Sequence, residues 1–587
     1  MKHDATLARV LRKSLAGLAC AWACTHGCAA EAGHVLIDLA LASDGALEVV
    51  YTLPTGVTEL KLLDGGTGHA VFRSKHLQPA TPCGRLEAKR MVLLDGPGCG
   101  SVMRWRVQPL LLNTYRQYEA AQPLSDGTLL ADTGYYAAVA PGHGLRWVLH
   151  SPADGYVIGQ GEVVHGDVSL AATTEQVQTA LDQPGTDEPL AVAFHHYVLL
   201  GKAPTERLGQ VTLVRDPALD EGRAQQIRQT LGEAMTRLTK AYGQAPATPP
   251  MVVATVADVN GWHGDTTAGN TMRLRLPRLA DAASASRLDR FVTHEAVHWW
   301  NAGIYRTDHS KPWLHEGHAD WASLLLLSEG GKLDAEAVAS QVQTSLNRCV
   351  MVRGETPASQ LTPSMRDDSY ACGLTLMVLA QALHAQRSTD PTSQGLHMLA
   401  SLHLGTSGLD QLRLIAWADG TAQGGTLHTL LTDESVGFTS GLQQTLAKLK
   451  LADAPLLREI PAPFPTEAGA LLARTLMQAL MARDCGGSTD FWTLADRIRI
   501  GTRATCQNLR MGQDVLSVNG TLLFPNTLAA WNDAQQSCQT GKELSLGYAD
   551  GSHSLQPCPA QWPALPITQW ITLRPDALAH MGLKRQP

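Results

Sequence analysis

The sequence predicts a multidomain α+β protein, and three observations carry that prediction. Its 587 residues are several times the roughly 100–200 that one core organises. Apolar residues make up 44% and charged residues 17%, a balance that excludes disorder on a large scale. The hydrophobic period also lengthens along the chain, from about two in the first third to about 3.6 in the middle, so strands give way to helices. The net charge is −7, with 47 basic residues spread among 54 acidic ones, and this leaves no concentrated basic surface for nucleic acid.

Residues 1–30 read as an export signal peptide. Lys2, Arg9, Arg12 and Lys13 precede a short apolar run at 14–24, and Cys28, Ala29 and Ala30 supply small residues for cleavage. The competing reading is a buried amphipathic helix. The expected destination is the periplasm or the exterior. Lipid anchoring at Cys20 or Cys28 is weakly supported, because Thr25 and His26 spoil the upstream pattern. No later run of apolar residues is long enough for a transmembrane helix. Of eleven cysteines, Cys20, Cys24 and Cys28 lie in the leader, which leaves eight. An even set in an exported chain suggests disulfides, and neighbour pairing (83 with 99, 349 with 372, 485 with 506, 538 with 558) is the simplest of many connectivities.

From 31 to 210, short alternating runs such as 34–41 and 46–53, broken by Gly, Pro and Asp, predict an all-β domain. Residues 220–242 have helical periodicity, and strands are expected at 251–256 and 270–276. In the latter, Met272, Leu274 and Leu276 share one face, and Arg273 and Arg275 the other. Helical patterns continue from 287 to about 449, and Pro461, Pro463 and Pro465 mark a linker. The expected segments are therefore 31–210, 211–335, 336–460 and a smaller unit at 466–587.

The stretch that carries chemistry is His294-Glu295-Ala296-Val297-His298. On a helix, residues four apart share a face, so both imidazoles can reach one metal ion while Glu295 stands beside it as a base. Catalytic zinc takes three protein ligands and keeps one open position. Glu316, opening a second helix within Trp313-Leu314-His315-Glu316-Gly317-His318, is the natural third ligand. Asp320, one turn further on, is placed to accept the second N–H of a ligand histidine. One Zn2+ per chain is expected. His263, His309, His315 and His318 are read as solvated or packed residues. Without the acidic second helix, the motif would read as an exposed helix with two solvated histidines.

These residues resemble the gluzincin metallopeptidases. Trp313-x-x-Glu316-Gly317 is shared with the leukotriene-hydrolase-like aminopeptidases, and His298-x-Trp300-Asn301 is more similar to the PDZ-bearing glycyl aminopeptidase family. The resemblance is strong over about 215–385 and weak elsewhere. It implies a thermolysin-like zinc peptidase core at 211–335 between the all-β domain and a helical domain. It implies further that Tyr370, in Tyr370-Ala371-Cys372-Gly373, donates to the oxyanion formed when water attacks a peptide carbonyl. Relatives also carry a glutamate in the Gly-rich turn before the substrate strand, where it binds the free α-amino group. Here residues 261–270 contain no glutamate, and Asp265 is the only carboxylate. Asp265, Gly269 and Asn270 are accordingly the expected substrate-binding residues, with peptide lying along 270–276.

At the C-terminus, residues 508–520 resemble the strand and turn of a PDZ domain, followed by a helix at 527–537 and a strand at 543–548. Such a domain captures an extended peptide or C-terminus by strand addition, although the usual carboxylate-binding loop is missing near Arg499-Ile500-Gly501. The function read from the sequence is hydrolysis of a peptide or protein substrate by an exported zinc metallopeptidase, with removal of an N-terminal residue implied by the resemblance. The alternatives are an endopeptidase of the same fold, and a non-catalytic peptide-binding scaffold with a structural metal site.

Overall fold

The computed structural model describes residues 33–580 except 64–68, 88, 110–119, 160, 183–196, 258–261, 267–269, 279–283, 309, 363–367, 389–393, 406–407, 453–464, 487–489, 495, 502–504 and 564–569. The leader, Gly269, His309 and most of the proline linker lie outside the described residues. The rest falls into two compact units. One takes in the chain to Leu219, the stretch Thr248–Val256 and the turn at Asn270; the other takes in Asp220–Ala247, Ala257–Thr266 and the chain from Met272 onward.

The first unit is built on strands. His34–Leu41 pairs in parallel with Gly144–Leu149 and antiparallel with Leu47–Thr52, which continues antiparallel to Val102–Val107. Along His34–Leu41 burial alternates, and Val35, Ile37 and Leu39 are fully enclosed. Each such side chain contributes roughly 1.5–3 kcal/mol by leaving water. Two further sheets share this unit, one centred on Glu59–Leu62 and Arg90–Leu93 and one on Tyr197–Gly201 and Leu129–Asp132. Cys83 and Cys99 are bonded, bracketing the hairpin between them.

The expectation of an all-β region needs correction, because His69–His76 and Thr174–Asp182 are helices. The second has a local cause. Thr173 and Gln176 cap it reciprocally, the Gln176 N–H donating to Thr173 Oγ1 at 3.2 Å and the Thr173 N–H to Gln176 Oε1 at 2.8 Å.

The second unit opens with α1, Glu221–Tyr242. Asp220 accepts from the Arg223 N–H at its start, and Gly243 ends it at φ 72°. Ala224, Ile227, Leu231, Ala234, Leu238 and Tyr242 form its buried stripe. Next come β1, His263–Thr266, and β2, Thr271–Pro277, paired antiparallel with Gly264 opposite Leu274 and Asp265 opposite Arg273. Four longer helices come after them: α2 (Ser284–His298), α3 (Pro312–Glu329), α4 (Ala335–Arg353) and α5 (Gly373–Arg387). Shorter helices continue to Lys448.

Beyond them, helix Thr466–Asp484 and a sheet in the order Phe491–Thr493, Ile498–Ile500, Asp514–Val518, Leu544–Tyr548, His553–Gln556 enclose a separate hydrophobic cluster around Met477, Val515, Trp531 and Leu546. Helix Thr527–Gln539 packs into the same cluster. Asn519 and Gly520, both at positive φ, make the two-residue turn that pairs Val518 with Thr521. Disulfides Cys485–Cys506 and Cys538–Cys558 brace this region, and Cys349–Cys372 joins α4 to the turn before α5. Among the described residues no helix is long and apolar enough to cross a membrane.

Candidate metal centre

His294 and His298 stand one turn apart on the last turns of α2, and Glu316 stands on the first turns of α3. The three come together. His294 Nε2 lies 3.2 Å from Glu316 Oε2 and 3.2 Å from His298 Nε2, and His298 Nε2 lies 3.7 Å from the same carboxylate oxygen. One ligand atom from each falls within 4.8 Å of the others, the spacing of a set that could hold one ion.

The outer nitrogens decide what the inner ones can do. His294 Nδ1 is 3.0 Å from Asp320 Oδ1, and His298 Nδ1 is 3.0 Å from Asn301 Oδ1, whose amide is oriented by donation from Nδ2 to the His315 carbonyl at 2.9 Å. Both Nδ1 atoms therefore act as donors. Each neutral imidazole is then left with a lone pair at Nε2, and both lone pairs face a carboxylate. Three acceptors around one point are mutually repulsive unless a cation sits among them, so this donor set fits zinc. The titration tendencies show the same demand for positive charge at that point, met by a proton on His294 where no cation takes its place. Burial lowers the His294 pKa, but hydrogen bonds to Asp320 and Glu316 outweigh it and push it up to about 10. Burial acts to raise the Glu316 pKa, and the two imidazoles hold it well below the usual range. Asp320 is buried, yet Arg290 at 3.3 Å and His294 keep its pKa lowered.

Glu295 is turned to the neighbouring strand. Thr266 Oγ1 donates to its main-chain carbonyl at 2.9 Å and reaches Oε2 at 3.4 Å. A Cβ on Gly264 would fall 2.5 Å from Phe291 Cζ and 2.6 Å from Glu295 Oε1, so a larger residue there would push these two side chains aside. Burial, with the charges of Glu316 and Asp265 adding, outweighs the two imidazoles and raises the Glu295 pKa to about 6.

Tyr370 sits in a π-helical turn, Asp368–Cys372, immediately before α5, with its ring stacked on His294 at 5.9 Å. The turn is fixed by the Cys349–Cys372 bond and by the buried Asp368–Arg353 pair at 3.1 Å. A Cβ at Gly317 would lie 2.2 Å from the Gly373 carbonyl carbon, so the glycine after Glu316 is what lets α3 and α5 cross this closely.

Two of the three expected substrate-binding residues are described, and each has a partner within the fold. Asp265 is paired with Arg273, Nε to Oδ1 at 2.7 Å. Asn270 belongs to the first unit, where it turns the chain at φ 59° and donates from Nδ2 to the Thr248 carbonyl. Gly269 is not among the described residues. The expected peptide strand also needs correction. β2 is paired along one side by β1, and its flanks are hydrogen-bonded on the other, Asn270 O from the Met251 N–H and the Arg278 N–H to Ala257 O. Among the described residues β1 stands at one end of this sheet.

Several contributors were not anticipated. Asn301 orients His298, Thr266 holds Glu295, and His315 stacks on His298 with centroids 4.1 Å apart. His318 lies behind the centre, fully buried, with Nδ1 accepting from Asn301 Nδ2 at 3.3 Å and Nε2 3.1 Å from the Tyr242 hydroxyl and 3.2 Å from His403 Nε2.

No family model and no curated protein matches the chain. In three dimensions it is similar to an aminopeptidase N family protein from Idiomarina loihiensis, with a TM-score of 0.57 at 14% identity, over 94% of this chain and all of that one. The likeness shows that the mixed α and β architecture, with its β-rich N-terminal part and helical continuation, is the fold of that aminopeptidase N family protein.

Proposed function

We propose that this chain is an exported zinc-dependent peptidase that hydrolyses peptide bonds. One observation carries the proposal: two imidazole lone pairs and a carboxylate converge on one point while both imidazoles are anchored from behind. His294, His298 and Glu316 would hold the ion. When bound, zinc supplies Lewis acidity that brings the pKa of a water ligand to about 7 and polarises a carbonyl.

The remaining chemistry belongs to the chain's own groups. Glu295, its pKa raised to about 6 chiefly by burial, takes a proton from the attacking water at its carboxylate and returns it to the leaving nitrogen. Tyr370, whose ring stacks on that of His294, donates from its hydroxyl to the substrate oxygen as negative charge develops there. Substrate backbone pairs alongside β1, at the end of its sheet. Four disulfides suit an oxidising compartment. The C-terminal sheet is assigned PDZ-like capture of an extended segment.

The aminopeptidase reading is supported by the resemblance of the motifs and by the family name of the structural neighbour. A second reading, cleavage of internal bonds, is favoured by the Asp265–Arg273 pair. The non-catalytic alternative is separated by one variant. Glu295→Gln should keep about one zinc per chain and lose at least ~100-fold in peptide hydrolysis. Undiminished hydrolysis by that variant removes the mechanism, and a zinc-loaded wild type that cleaves nothing leaves the scaffold reading.

A further inference from the structure

A donor to a developing oxyanion is effective only when it is already in place, since a displacement of about 1 Å can cost about 100-fold in rate. Tyr370 is the middle residue of a π-helical turn, Asp368–Cys372. Such turns are rare, occur mostly singly, and lie outside the regular register that packs one helix on another. The position of the tyrosine therefore depends on what grips its turn.

The grip comes from α4. Cys349 and Arg353 lie four residues apart on that helix, on one face and at its C-terminal end. Cys372 and Asp368 also lie four residues apart, at the two ends of the turn. The connections run in opposite order: Cys349 is bonded to Cys372, and Arg353 Nη1 stands 3.1 Å from Asp368 Oδ2. Tyr370 is thus held two positions away on either side, by a covalent bond on one and by an ion pair on the other.

Both connections are dry. The two cysteines are fully buried, and Arg353 and Asp368 are 7% and 1% exposed, so water and salt do little to loosen the pair. Each charged partner is also tied to backbone. Arg353 Nη2 donates to the Pro357 carbonyl at 3.0 Å, and Asp368 Oδ2 accepts from the Thr362 N–H at 3.0 Å. The three metal ligands and Glu295 stand instead on α2 and α3, and neither helix carries a member of this clamp.

We infer that Cys349, Cys372, Arg353 and Asp368 are positioning residues, through which α4 clamps both ends of the turn that carries Tyr370 and so sets the turnover rate without setting zinc affinity. This rests on the peptidase reading above, in which Tyr370 serves the substrate oxygen.

The test is a double-mutant cycle on the full-length, zinc-loaded protein: wild type, Cys349→Ala with Cys372→Ala, Tyr370→Phe, and all three changes together. Each is assayed for peptide hydrolysis, zinc content and thermal unfolding. The cysteine variant should keep about one zinc per chain and lose about 10–100-fold in kcat, with KM changed by less than about threefold. Made in the Tyr370→Phe background, the same two changes should alter kcat by less than about twofold. That comparison separates positioning from general loosening, which lowers kcat by one factor in both backgrounds. An equal fall in both backgrounds, loss of zinc, or a kcat within about twofold of wild type overturns the inference and leaves the peptidase reading standing. Undiminished turnover by Tyr370→Phe also overturns it, and cleavage of nothing by zinc-loaded wild type overturns both. Should the cysteine variant fail to fold, Arg353→Lys decides. It keeps the buried charge but loses the forked grip, and kcat should fall by about threefold or more only where Tyr370 is present; an unchanged kcat overturns the clamp.

Discussion

The second unit contains two buried histidine pairs with the same spacing and opposite chemistry. His294 and His298 have their Nε2 atoms 3.2 Å apart, as do His318 and His403. In the first pair, both Nδ1 atoms face oxygen acceptors and a carboxylate lies beside the Nε2 atoms. In the second, the Asn301 amide donates to His318 Nδ1, so His318 Nε2 carries the hydrogen and can give it to His403. One imidazole there donates to the other, so the two Nε2 atoms need no cation between them. The His403 pKa accordingly falls to about 3, through burial and the Arg413 charge, whereas that of His294 rises to about 10. Burial alone does not make a metal site. What makes one is the set of groups behind the imidazoles, which fixes where their lone pairs point.

The comparison can be broken most severely at Glu316. Glu316→Gln removes the anion beside the Nε2 atoms, and zinc affinity should fall by well over 100-fold, with hydrolysis falling in step. Retention of tight zinc in that variant, read by competition with a chelator, would mean that the first pair binds metal as neutral imidazoles alone. Tyr370→Phe leaves both pairs intact and removes one donor; kcat should drop by about 100–1,000-fold with little change in KM. An equal drop in the stability of that variant would assign Tyr370 to packing.

The second pair makes a prediction about pH. His403 stays neutral in the fold down to about pH 3 but takes a proton in the unfolded chain below 6.5. Between those values the unfolded state binds more protons, so stability is full above 6.5 and declines as pH falls toward 3. Denaturant titrations at pH 7 and 4 should differ by about 3 kcal/mol from this group, and His403→Leu should shrink the difference by that amount. An unaltered pH dependence in the variant would show that His403 is not held neutral. The smallest change is Asp320→Asn, which keeps an acceptor for His294 Nδ1 but removes its charge. Zinc affinity should fall by about 10–100-fold with the fold unchanged; no fall would place the basicity of His294 elsewhere.

The contrast also explains what could be read from the chain. His294 with His298 and Glu316 with Asp320 lie at helical spacings, so local periodicity puts each pair on one face of its helix, while the approach of the two helices is implied only by the need for a third ligand and by the motif resemblance. The long helix Glu221–Tyr242 was legible for the same reason, with a cap at each end. The pairing of His318 with His403 spans 85 positions, and no local rule links them. Asn301 lies in the π-helical turn Trp299–Ile304, where regular helical register no longer applies, although its place three residues after His298 was a clue. The strand at the end of the sheet, His-Gly-Asp-Thr, has neither β-branched alternation nor length. The apolar alternation of β2 is the stronger signal in the sequence, because a strand buried on both sides is the more hydrophobic one.

The most direct test is the zinc content of the purified wild-type chain beside His298→Ala and His318→Ala. About one zinc per wild-type chain, lost in His298→Ala and kept in His318→Ala, is the result expected from the opposed lone pairs of the first pair. A wild-type chain that takes up no zinc, or metal that disappears with His318 and survives without His298, would contradict the assignment.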